Sequence, residues 1–288
     1  MTDIIEIFYE EIRDTKFEAY GLIDSSDNIH TLGTDSKIIG RVFEIFTQPI
    51  LERIAHKLAL KLETPEKQNT YPDFTLLKDV SSCSKIAIDV KSTYVTDDNS
   101  DIKFTLGSYA SYMRNNTKNI MYKYSDYIKH YVIGFVYKRN QNAQESRVVT
   151  FQNRACIDFP FTDVKVFIQE KYKIAGDKPG SGNTENIGSF TSKNFNDLKK
   201  GLGPFSELGA DIFNLYWANY PIYRANDRFI YYKDISGFCN WALKEDNLES
   251  LEISQYENAN YVLKQLNFDD VRARIRAFKD RYYCNRNF

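Results

Sequence analysis

Three side chains mark where chemistry could occur: Asp73, which follows Pro72, and Asp89 and Lys91, which stand two apart in Asp89-Val90-Lys91. Residues two apart in a strand share a face, so Asp89 and Lys91 point the same way. If a strand beginning at Asp73 pairs with theirs, two carboxylates and one ammonium converge. Phosphodiester hydrolysis needs such a set. Two carboxylates can hold a hard cation, typically Mg2+ with part of its water shell retained. The cation polarises a phosphate and acidifies water, while the lysine orients or deprotonates the attacking water and offsets charge in the transition state. Spacing alone leaves a plainer reading open. An Asp at a strand start and an Asp–Lys pair on a strand face are also common solvated features.

The surrounding pattern supplies elements able to position the three. DFTLLK (73–78) and KIAIDVKSTYV (85–95) read as neighbouring strands. Ile86 and Ile88 face one way and Ala87, Asp89 and Lys91 the other, which suits a strand with a core on one side and a cleft on the other. Upstream, Ile4 to Ile12 has the spacing of an amphipathic helix. The stretch FEAYGLID (17–24) is predicted extended. A long helix is predicted from Ser36 to Leu60, with Asp35 as its N-cap and Pro49 kinking or breaking it. Downstream, 109–116 reads as helical and 131–139 as a buried strand. Residues 164–176 read as a further strand, 177–189 as a Gly-rich polar loop. Helices are then expected around 206–220, around 234–244 and twice between 255 and 283. The simplest reading is a compact α/β domain with a helical C-terminal part.

Composition narrows the partners. The chain has 288 residues, 38 basic and 39 acidic, for a net charge of −1, far from the strongly basic balance of a general nucleic-acid coat protein. Hydrophobic residues make up 42%, with 21 Tyr and 20 Phe, enough for a real core. The four cysteines, Cys83, Cys156, Cys239 and Cys284, form no CxxC pair, which argues against a zinc site or disulfide framework. The acidic N-terminus lacks a signal-peptide layout, and no apolar run approaches the ~18 residues of a membrane span. A soluble cytoplasmic protein without membrane partner or organic cofactor is expected. His30, His56 and His130 show no ligand spacing and read as structural.

Longer stretches carry a resemblance. FEIFTQPI (43–50), QNTYPDFTL (68–76), KIAIDVKSTY (85–94), IKFTLGSY (102–109), RNNTKNI (114–120) and KVFIQEKYKIAGDKPGSGNTENIGS (165–189) resemble the EcoRV family of type II restriction endonucleases, within the PD-(D/E)xK nuclease superfamily. Weaker similarity continues through YWANY (216–220) and NDRFIYYKDISGFCNWAL (226–243). The match runs in order over most of 30–243. The resemblance implies a restriction-endonuclease-like core, a mixed central β-sheet flanked by helices. It implies a DNA-binding and catalytic domain over 1–243 and a helical extension over 244–288.

In that family the two Asp and the Lys form the Mg2+-dependent centre, which corresponds to Asp73, Asp89 and Lys91, with Glu44 as an accessory acidic group and further metal ligand. Gly180, Gly182, Asn183 and Thr184 correspond to a major-groove recognition loop, and Gln68 and Asn69 to a loop approaching the minor groove. Ser36, Ser111, Lys118 and Arg139 correspond to phosphate contacts, which orient DNA without reading its sequence. Asn can pair bidentately with adenine and Thr can offer a methyl to thymine. The family binds as a homodimer to the palindrome GATATC in double-stranded DNA and cuts it centrally, leaving blunt ends with a 5′-phosphate and a 3′-hydroxyl. The Ser36–Leu60 helix is the expected dimer element.

Departures leave the three central residues intact. Ser92 stands in place of Thr, Lys67 in place of Gln, Thr70 in place of His, Ala110 in place of a phosphate-contacting Thr, and Glu185 in place of Thr. In the extension, Val271, Ile275 and Phe278 form an apolar stripe, with Arg272, Arg274, Arg276 and Arg281 mostly elsewhere. A solvated amphipathic helix and a helix that packs on the body and touches DNA flanks both fit. Two rival functions are a repair or junction-resolving nuclease of the same superfamily and a non-catalytic DNA-binding protein. The GSGNT loop argues against the first and the intact trio against the second.

Overall fold

Each central strand presents two faces, and the two faces feed two separate cores. The computed structural model describes residues 3–67, 69–107, 109–114, 119–180, 186–220, 231–249 and 266–284, with only the backbone of 109–111 and 282–284. Its main sheet runs β3 (Lys61–Glu63), β4 (Phe74–Leu77), β5 (Lys85–Val95), β6 (Tyr127–Arg139), β8 (Phe161–Glu170) in that spatial order. Only β5 and β6 are parallel; the other neighbours are antiparallel, so the sheet is mixed, as expected.

Ile88 and Val90 of β5 join Tyr131, Ile133, Phe135 and Tyr137 of β6 beneath α1 (Ile4–Glu11) and α2 (Ser36–Lys57). Phe43 of α2 stacks on Phe135 with ring centroids 4.3 Å apart. The opposite face, with Ala87, Val132, Val136 and Phe167, packs under the C-terminal helices. These are α5 (Phe195–Lys200), α6 (Phe205–Leu208), α7 (Ala210–Ala218), α8 (Ile235–Ala242) and α9 (Phe268–Cys284). The alternation predicted for 85–95 is therefore real. At Gly134, beside Lys91 in the parallel register, an added Cβ would sit 2.4 Å from the Phe167 ring, so close approach demands glycine.

A small antiparallel sheet of β1 (Gly21–Ile23), β2 (Asn28–Thr31) and β7 (Val148–Thr150) stands beside this body, and α3 (Tyr109–Arg114) falls within the stretch read as helical. Asp35 caps α2 as predicted, its carboxylate accepting from the N–H groups of Lys37 and Ile38. Pro49 does not break that helix, which continues to Lys57. Proline deprives the Ile45 carbonyl of a donor, but Ile45 and Pro49 lie on the exposed side, where water can serve instead.

The predicted strand 164–176 is also corrected. β8 ends at Glu170, one helical turn follows as α4 (Lys171–Ile174), and β9 (Ala175–Pro179) then pairs with β10 (Ile187–Ser189). The expected polar loop thus has a hairpin at its base. Among the described residues of the extension there is one helix, α9, and its Val271, Ile275 and Phe278 join the core. Its Arg272 pairs with Glu249, Arg274 with Asp211 and Asp270, and Arg281 with Glu207. Among the described residues, no helix is long and apolar enough to cross a membrane.

Candidate active site at the β4–β5 pair

The antiparallel register sets Phe74 opposite Ile88, so Asp73, one residue earlier, falls opposite Asp89. Asp73 Oδ2 accepts a 2.7 Å hydrogen bond from the Val90 backbone N–H, which locks the carboxylate onto β5. Lys91 Nζ lies 3.0 Å from Asp89 Oδ2 and 3.6 Å from Asp73 Oδ2. The convergence expected from spacing is present. About a quarter of the Asp73 and Lys91 side chains stays exposed, while Asp89 is 5% exposed. Asp73 and Lys91 thus stay partly accessible, while Asp89 is sunk.

Burial pushes the Asp73 carboxyl up, against the pull of Lys91 and with the help of repulsion from Asp89. Burial acts on Asp89 in the same sense, but the ammonium groups of Lys171 and Lys91 outweigh it and hold that carboxyl below its usual range. Burial would lower Lys91; the charges of Asp73 and Asp89 outweigh it and raise the group. Lys171, fully buried and 3.1 Å from Asp89 Oδ2, is lowered to about 8, chiefly by burial and despite Asp89.

Two carboxylates with little else suit Mg2+, which binds through one or two protein carboxylates and takes its remaining ligands from water and phosphate. The donor set therefore fits the expected ion. Glu44 bonds Arg41 at 2.5 Å, while its charge reaches both Asp73 and Lys91. Among the described residues no group of three or more His, Cys, Asp or Glu is gathered as a metal cage.

The remaining expected residues come from other elements. Ser36 opens α2 and is exposed, and Arg139 ends β6 with its guanidinium 3.6 Å from the Tyr94 ring. Asn69 lies in an exposed turn before Tyr71. Gly180 sits at the end of the β9–β10 hairpin, where an added Cβ would fall 2.9 Å from Gly188 Cα and 3.1 Å from Thr105 Cα. Its glycine is thus required by backbone packing. Gln68, Lys118, Gly182, Asn183 and Thr184 lie outside the described residues, as does the side chain of Ser111.

Sequence reasoning missed Lys171. It also missed that His130 is bonded, through Nδ1, to the Tyr71 hydroxyl at 2.7 Å. No pattern in the chain flags either, because each depends on a partner far away in sequence.

A mixed sheet with helices on both faces and an Asp–Asp–Lys set on adjacent strands has the architecture of the restriction-endonuclease-like fold. The comparisons agree. The Restriction endonuclease EcoRV family matches residues 13–243. The type II restriction enzyme EcoRV of Escherichia coli is 42% identical over 243 residues, covering 83% of this chain and 96% of that protein. The solved NlaIV restriction endonuclease overlays with a TM-score of 0.31 at 11% identity, over 98% of this chain and 90% of that one, too loosely to carry an argument. The chain belongs to the EcoRV family of type II restriction endonucleases.

Proposed function

We propose that this chain acts as a cytoplasmic homodimer that cuts double-stranded DNA with Mg2+ at the palindrome GATATC, centrally, leaving blunt ends with a 5′-phosphate and a 3′-hydroxyl. The observation that carries the reading is the convergence of Asp73, Asp89 and Lys91, within a chain 42% identical to a type II restriction enzyme. Asp73 and Asp89 hold the cation, with Glu44 adding negative charge beside them. When bound, Mg2+ supplies Lewis acidity toward the scissile phosphate and acidifies water. Lys91 offsets the negative charge that develops on the phosphate and orients the attacking water.

Base reading falls to the loop that follows Gly180, with Gly182, Asn183 and Thr184, and to Gln68 and Asn69 from the other groove. Ser36, Ser111, Lys118 and Arg139 hold phosphates. The homodimer reading is supported by exposed apolar side chains: Ile38 and Ile45, two turns apart on α2, and Leu22, Ile23 and Val148 on the small sheet. Residues 1–243 serve as the DNA-binding and catalytic unit, and 244–288 as an extension whose helix α9 packs against it.

Digestion of a plasmid of known sequence with Mg2+, followed by end-sequencing, tests the reading. Discrete blunt cuts within GATATC are expected. Cuts confined to junctions or lesions, or intact DNA bound without cleavage, would sink it.

A further inference from the structure

Behind Asp89 lies a buried polar assembly that the proposed chemistry does not use. Lys171, the first residue of the α4 turn, has no exposed surface. Its Nζ stands 4.3 Å over the Tyr71 ring and 3.1 Å from Asp89 Oδ2. Tyr71 is fixed in turn. Its hydroxyl bonds His130 Nδ1 at 2.7 Å, its ring stacks on Tyr112 at 4.8 Å, and its backbone pairs with the segment 119–121. Tyr71 lies two residues before Asp73 in the chain. One assembly therefore abuts both carboxylates, Asp89 through an ammonium and Asp73 through the main chain.

Burying an ammonium is costly, and a fold that only needed to neutralise Asp89 already has Lys91 on the same strand. Both ammonium groups meet the same oxygen, Oδ2, which leaves Oδ1 outside these contacts. A carboxylate gripped at one oxygen from two directions cannot rotate about its Cβ–Cγ bond. We infer that Lys171 is a positioning residue. It holds the Asp89 carboxylate in a single orientation, so that Oδ1 is free for the cation, and Tyr71 with His130 holds Lys171. This rests on the nuclease centre proposed above. The grip has a cost for metal binding, because an ammonium beside the ligand repels a dication.

Loss of Lys171 therefore moves two quantities in opposite directions, which simple destabilisation does not do. The test uses full-length Lys171→Met, close in shape without charge or donor, and Lys171→Gln, which keeps an N–H donor. Mn2+ binding is followed from the EPR signal of the free ion, without DNA. Affinity is expected to tighten by about threefold or more in both variants, because the repelling charge is gone. Single-turnover cleavage of a GATATC duplex at saturating Mg2+ is expected to fall roughly 10- to 100-fold in Lys171→Met and to recover in part in Lys171→Gln. Unchanged or weaker Mn2+ affinity in Lys171→Gln overturns the inference, even if Lys171→Met does not fold. So does a saturating rate in Lys171→Met within about threefold of the parent, well short of that loss. Asp89→Asn separates the two levels. If it is dead while Lys171→Met cuts normally, only Lys171 is misread. If it cuts normally, the centre itself is wrong and this inference falls with it.

Discussion

The proposed catalytic corner and the hairpin beneath the proposed recognition loop are built in opposite ways. Asp73, Asp89 and Lys91 come from two strands adjacent in both sequence and space, and a single register places all three. The β9–β10 hairpin is stitched to segments distant in sequence. Thr105 Oγ1 donates to the Gly180 carbonyl, and Leu106 N–H to that of Ile187. Tyr216 Oη donates to the Asp177 carbonyl, and the Ile235 N–H to the Asp177 carboxylate. The three proposed catalytic side chains are thus set by local pairing, with Lys171 reaching Asp89 from farther along the chain. The hairpin, in contrast, is a long-range assembly that involves α7, α8 and the segment around Thr105. Substitutions should accordingly separate the two, abolishing cutting at one end and blurring choice at the other.

The largest effect is expected at Asp89. Asp89→Ala removes a proposed cation ligand and leaves the buried Lys171 and the partly buried Lys91 without the carboxylate they share. Cleavage should become undetectable while circular dichroism still shows the fold. Breaking a buried pair by removing one partner costs about 3–5 kcal/mol, so the melt should also fall clearly. Normal cleavage by this variant would overturn the division of labour. The other arm of the comparison is Asn183→Ala. Cutting should persist while discrimination between GATATC and sites differing by one base falls by roughly 1–3 kcal/mol. Unchanged discrimination in competitive cleavage would remove that loop from base reading.

The same contrast explains what could be read from the chain. Alternation along 85–95 announces one face of Asp89 and Lys91 and another of Ile86 and Ile88, because period two is a property of any strand. Asp35 before an apolar helical repeat announces a cap for the same local reason. Lys171 gave no such sign. Tyr172 and Ile174 extend a strand-like pattern through the α4 turn, and a lysine between Glu170 and Tyr172 looks like a solvated residue. Only the return of β8 along β6, which brings the turn after it to Asp89 of β5, shows that it is buried. Pro49 failed as a breaker because its position faces solvent, which the one-dimensional pattern does not encode. The anchors of the hairpin were equally hidden, since Asp177 meets Ile235 and Tyr216 only after the C-terminal helices have packed.

A smaller effect is expected at those anchors. Asp177→Ala removes the carboxylate that accepts from the Ile235 N–H, at a cost of roughly 1–3 kcal/mol for the unsatisfied donor. If the hairpin is held from a distance, cleavage at one-base-altered sites should rise relative to the cognate site, with the single-turnover rate at the cognate site nearly unchanged. A parallel loss at both sites would mean that the anchor serves stability alone and that the two regions are less separate than their construction suggests.

The smallest effect concerns Glu170, which ends β8 just before Lys171 and ties the catalytic side to its own sheet. Burial would raise its carboxyl, but Lys129 and Lys173 outweigh that and hold it below the usual glutamate range. A depressed folded-state value means the stabilisation is complete above the unfolded value, about 4.3, and drains away as pH falls through the folded one. Lys129 is half exposed, so solvent screening limits the contribution to about 1 kcal/mol. Glu170→Gln should therefore lower the melting temperature at pH 7, with the gap to the parent narrowing as pH falls below about 4.3. The recognition side supplies the control. Asp234 is held low mainly by the Gly237 backbone N–H, a bond that an amide oxygen can still accept. Asp234→Asn should thus lose less melting temperature at pH 7 than Glu170→Gln. Equal gaps would mean that both regions draw their acid sensitivity from the same kind of contact.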